Sequence, residues 1–62
     1  MKAADRRRAI LELVLSGEDA NVERLTSNLG VSEATVRRDL TALAREGRIV
    51  RTYGGAAPLM QI

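Results

Sequence analysis

The chain has 62 residues, 45% of them hydrophobic, with ten basic against eight acidic side chains and a net charge of +2. It contains neither cysteine nor histidine, which excludes a disulfide framework, a thiolate or imidazole zinc site and imidazole acid–base chemistry. A chain this short makes one small domain that buries about 60% of its unfolded surface, and none of its apolar runs approaches the roughly 20 residues that span a bilayer.

The N-terminus lacks the apolar core of a signal peptide, so a soluble, cytoplasmic module is expected. The first segment reads as a helix from about Asp5 to Ser16, with Ile10 and Val14 spaced i, i+4 beside Leu11 and Leu13. Asp5 is its expected N-cap and Gly17 its stop. The connector Gly17-Glu18-Asp19-Ala20 is polar. A second, short helix fits Val22 to Leu29, capped by Asn21 and closed by Gly30 in the left-handed conformation. Val31 sits in the tight turn that follows and should be buried between two helices.

The third helix starts from Ser32 as N-cap and runs to about Glu46, with Val36, Leu40 and Leu43 as its apolar stripe. Gly47 ends it, and Arg45 in its last turn suits the helix dipole. After Gly47 the pattern changes. Arg48 to Tyr53 is rich in β-branched residues, Gly54-Gly55 is a turn, and Ala56 to Leu59 returns as a strand that Pro58 confines to an edge. The expected core is Ile10, Leu11, Val14, Val22, Leu25, Leu29, Val31, Val36, Leu40, Leu43 and Ile49. The fold class is therefore mainly α (α+β): three helices followed by a C-terminal hairpin.

Helical geometry decides where the arginines point. At about 100° per residue from Val36, Leu40 and Leu43 share the core face, while Ala34, Arg38, Thr41 and Arg45 lie opposite. Thr35 and Arg37 flank that outer face, and Glu33 and Asp39 fall towards the core edge. A cationic, hydroxylated face with its acids at the margin fits a helix that enters a DNA major groove. Ala34 and Thr35 would let the backbone approach the bases, and an arginine can bridge a guanine edge or hold a phosphate. The plainer alternative is a Glu33–Arg37 pair at i, i+4 and a solvated Arg38. The turn Gly30-Val31-Ser32, set between a short helix and a cationic-faced one, is helix-turn-helix spacing and favours DNA. Asp39, at the core margin, is expected to orient a neighbouring arginine.

Arg6-Arg7-Arg8 opposes the dipole of the first helix. A nearby phosphate would account for this, and so would a solvated, frayed terminus. On the hairpin, alternation puts Ile49, Arg51 and Tyr53 on one face. Arg51 then either flanks the core or emerges at the end of the strand, and Tyr53 is expected to pack on the body. Enzymatic chemistry finds no paired acids to rest on, and RNA stacking would want several aromatics where the chain has one tyrosine. A protein-interaction module remains the rival function, and it would want an apolar patch on the outer face of the third helix.

Residues 22 to 56, VERLTSNLGVSEATVRRDLTALAREGRIVRTYGGA, resemble the N-terminal winged helix-turn-helix domain of the DeoR family of bacterial transcriptional regulators. The markers are Leu25, Leu29-Gly30-Val31-Ser32, Thr35-Val36-Arg37-Arg38-Asp39-Leu40, Leu43, Gly47, Arg51 and Gly54-Gly55-Ala56. The resemblance implies a single domain over residues 1–62, with the helix-turn-helix at about 20–39, the recognition helix at 33–46 and the wing at about 48–59. Ser32, Thr35, Arg37 and Arg38 match the motif expected at duplex DNA, and Arg51 matches the wing arginine. Ala34, Thr41 and Arg6 join this set from the face and cluster arguments above.

The resemblance further implies a repressor of a sugar or sugar-alcohol operon, acting on the nucleoid in the cytoplasm without a cofactor. Its effector would be a phosphorylated sugar bound by a domain that follows the wing and is absent here, and the full-length protein would be a homo-oligomer. Two positions depart from the family pattern. Tyr53 stands where a histidine is frequent, and a polar connector stands where the family often has a short strand, which argues against a third strand.

Overall fold

In the computed structural model, which describes residues 1–59, the chain runs α1 (Ala3–Leu15), β1 (Ala20–Asn21), α2 (Val22–Leu29), α3 (Glu33–Arg45), β2 (Ile49–Thr52) and β3 (Gly55–Pro58). α1 begins before Asp5, which falls in its first turn, while Lys2 occupies the N-cap without a side-chain bond. Asp5 thus meets the positive end of the helix dipole instead of capping. The other two caps form as expected. Asn21 Oδ1 accepts from the Arg24 N–H at 2.7 Å, and Ser32 Oγ accepts from the Thr35 N–H at 3.1 Å. Gly30, at φ 66° and ψ 33°, closes α2 with its N–H on the Thr26 carbonyl at 2.9 Å.

The strands form one antiparallel sheet in the order β1-β3-β2. The connector therefore does end in a strand: Ala20 pairs with Ala56 and Asn21 with Gly55. Its two residues are too few to show an alternation, so the polar Glu18-Asp19 dominated the pattern. β3 is consequently the middle strand and not an edge. Pro58 is tolerated there because it pairs with Ile49 on the β2 side and lies beyond the reach of β1, so no ladder bond is lost. Gly55 is required by close approach. A Cβ at this position would stand 2.6 Å from the Ala20 carbonyl oxygen and 2.8 Å from Asn21 Cα.

The buried core comprises Ile10, Val14, Ala20, Val22, Leu25, Val36, Leu40, Leu43 and Ile49, with Leu11, Leu13, Leu29, Val31, Ala44 and Ala56 packed against it in part. Val31 is half-buried where full burial was expected, and Ala20, brought in by β1, joins the core unforeseen. Full burial of each large aliphatic side chain contributes about 1.5–3 kcal/mol. α3 takes the central place, packing on α1, α2 and β2. Its apolar stripe faces inward and its opposite face is left to solvent. The architecture is a winged helix-turn-helix.

Candidate nucleic-acid interface

α3 presents Ala34, Arg37, Arg38, Thr41 and Arg45 as exposed residues. Thr35, half-buried, accepts a hydrogen bond on Oγ1 from Ser32 Oγ at 2.9 Å. Arg37 Nη2 lies 3.3 Å from Glu33 Oε1, and both side chains are more than half exposed. Such a pair contributes at most about 1 kcal/mol and yields readily to a competing anion. Arg38 and Arg45 have no ion-pair partner among the described residues.

The strand placement that alternation left open is settled for Arg51. It is exposed and leans towards α3, where its Nη1 donates to Thr41 Oγ1 at 2.9 Å. Thr41 in turn donates to the Arg37 carbonyl at 2.9 Å. Ala34, Thr35, Arg37, Arg38 and Thr41 thus share one helix, with Ser32 as its N-cap and Arg51 joined to its side. Tyr53, expected to pack, is instead fully exposed at 107% in the turn between β2 and β3. The alternation that would have tucked it inward ends with the strand at Thr52.

Arg6 lies elsewhere. Asp39 is completely buried, and its carboxylate accepts from Arg6 through both Nε and Nη2 and from Arg7 Nε at 3.0 Å. Burial pushes the Asp39 carboxyl upward, but the hydrogen bonds and charges of Arg6 and Arg7 outweigh that and hold it below its ordinary value. The hydrogen bond to Asp39 raises Arg6 correspondingly. This clasp ties the first turn of α1 to the middle of α3 and explains cations at an unfavourable end of a helix dipole. A sequence clue existed, since Asp39 leans towards the core. Its partners sit 33 and 32 residues away, however, and no spacing rule connects them.

Arg7 and Arg8 also line a cleft of about 310 Å³ with Leu11, Leu43, Glu46 and Arg48, where Arg48 Nε pairs with Glu46 at 3.0 Å. The exposed row of guanidinium and hydroxyl groups on α3 and β2 is suited to phosphates and base edges. No helix among the described residues is long and apolar enough to cross a membrane.

Comparison with known proteins agrees with this chemistry. Residues 6–61 match the DeoR-like helix-turn-helix domain family. The chain is 45% identical over 62 residues to the HTH-type transcriptional regulator GlpR of Haloferax volcanii, covering 100% of this chain and 24% of that protein. It is 45% identical over 56 residues to the L-fucose operon activator of Escherichia coli, covering 90% of this chain and 23% of the relative. Against the glycerol-3-phosphate regulon repressor of Escherichia coli the identity is 42% over 57 residues, 92% of this chain and 23% of that protein. The chain thus spans about a quarter of the length of these relatives. No solved structure matches it.

Proposed function

The chain belongs to the DeoR-like helix-turn-helix family as a DNA-binding domain of transcriptional regulators, not an enzyme, and from that premise we propose that α3 docks in the major groove of a duplex operator with the β2–β3 hairpin as its wing. The observation that carries this reading is the exposed face of α3. It holds Ala34, Arg37, Arg38, Thr41 and Arg45 opposite the apolar stripe, and Arg51 extends it onto β2.

Arg38 is the favoured base contact, because it has no ion-pair partner among the described residues to give up. Arg37, paired with Glu33, is assigned to a phosphate. Ser32 and Thr35 bring the start of α3 close to the backbone of the DNA. Arg6 is assigned an indirect role, holding α3 through Asp39 while its charge is engaged there.

The regulated genes are proposed to be a carbohydrate or sugar-alcohol operon, repressed until a phosphorylated sugar binds a further domain of a homo-oligomeric protein. The support is the naming of two relatives for an L-fucose operon and a glycerol-3-phosphate regulon. One of these is named an activator and the other a repressor, so the same domain type serves either sign of control.

The test is a fluorescence-anisotropy titration of the domain against duplex DNA from upstream of its own gene, beside a scrambled duplex. Arg38→Ala should cost about 1–3 kcal/mol on the upstream duplex and reduce the preference over the scrambled one. Absence of binding to either duplex at low salt would reject DNA recognition in favour of a protein-interaction role.

A further inference from the structure

Thr41 lies in the outer row of α3, yet its hydroxyl is already committed at both ends. The proton goes to the Arg37 carbonyl one turn back at 2.9 Å, so the oxygen is left to accept, and what it accepts is Arg51 Nη1 at 2.9 Å. A hydroxyl has one proton and two lone pairs, so this arrangement fixes its orientation. Arg51 is thereby held against α3 by a neutral group. No carboxylate neutralises it among the described residues, and its remaining N–H groups are free to donate. Its backbone is held as well, since on the edge strand β2 it pairs with Ala56 of the middle strand β3.

From this geometry we propose that Thr41 is a positioning residue: it holds Arg51 of the wing in the orientation that donates to a DNA phosphate, and so joins wing and recognition helix into one rigid binding surface. The inference rests on the DNA-binding role proposed above and adds to it how the wing is set. An arginine side chain loses much rotamer freedom on being immobilised. Where Thr41 holds it beforehand, that loss is met in the free protein and not on binding.

The test is equilibrium binding to a fluorescein-labelled duplex of random sequence at low salt, since a phosphate contact is independent of sequence. Wild type is compared with Thr41→Val, Thr41→Ser, Arg51→Ala and the double variant Thr41→Val/Arg51→Ala, with a thermal melt of each. Valine keeps the branched shape and loses the acceptor, whereas serine keeps the acceptor. Thr41→Val should weaken binding roughly 3- to 10-fold, the freedom of one long side chain, and Thr41→Ser should restore it. In the Arg51→Ala background the valine should have no further effect, because nothing remains to be positioned.

Three results overturn the proposal. Thr41→Val could weaken binding as much without Arg51 as with it, which makes Thr41 a DNA contact in its own right. Thr41→Val could bind like wild type while Arg51→Ala binds weakly, which makes the hydrogen bond irrelevant. Arg51→Ala could bind like wild type, which removes the phosphate contact. A wild-type domain that bound no duplex at all would instead remove the DNA-binding role on which the proposal stands.

Discussion

Asp39 shows how one side chain serves fold and surface together. A carboxylate out of contact with water is costly unless charged partners and hydrogen bonds meet it, and here Arg6 and Arg7 supply three donors. Because the folded protein holds this carboxyl below its ordinary pKa, the unfolded chain binds its proton more readily. The clasp therefore contributes fully above about pH 4 and fades as pH falls through the depressed value. Urea denaturation across this range should show stability declining on acidification. Asp39→Asn should flatten that decline, because the titrating group is gone. Asp39→Ala at neutral pH should lose about 3 kcal/mol, the low end for breaking a buried pair, since both arginines can turn back to water. A domain of this size holds only roughly 3–9 kcal/mol in all, so this one residue bears on whether α3 is presented at all. Unchanged stability in Asp39→Asn at every pH would show that the clasp contributes nothing.

Among the elements, the two-residue β1 has an influence out of proportion to its length. It converts a hairpin into a three-stranded sheet and places Ala20 in the core. The Val22 N–H adds a bond to the Gly54 carbonyl at 2.8 Å, tying the start of α2 to the wing turn. All of this depends on the absence of a side chain at Gly55, where a Cβ would press on backbone atoms that cannot rotate away. Gly55→Ala should therefore cost about 1–3 kcal/mol and expose the Ala20 and Val22 amides to faster hydrogen exchange, with the α3 amides much less affected. Wild-type exchange rates in that variant would mean the sheet accommodates a methyl group. The caps of α2 and α3 were legible in the sequence because each is a bond between residues three apart. β1 was not, because its partner strand lies some thirty-five residues further along the chain.

For the molecule as a whole, net charge understates the capacity to bind an anion. Charges on the described residues partition into those spent internally, as in the Arg6, Arg7 and Asp39 clasp, and those left unpaired, among them Arg38, Arg45 and Arg51. Each phosphate neutralised releases counterions and adds about 0.9 to the slope of log affinity against log salt. Three or four such contacts predict a slope of roughly −3 to −4. Arg51→Ala should lower its magnitude by about one, while Arg6→Ala should leave it unchanged in any protein that remains folded. An unchanged slope in Arg51→Ala would take the wing out of contact with DNA.

Local chemistry, read from the chain alone, determined the three helices, two of their caps, the glycine stops, the hairpin, nearly all of the core and the cationic outer face of α3. These depend on periodicity and on bonds within a few residues, which a sequence displays directly. Only the tertiary structure decided the destinations of the long side chains. Arg6 turned inward to Asp39, Arg51 leaned onto Thr41, Tyr53 was left in solvent at the wing turn, and β3 became the middle strand. The physical reason is reach. An arginine, with its long flexible stem, can find partners on any neighbouring element, and which elements are neighbours is set by how the apolar faces pack.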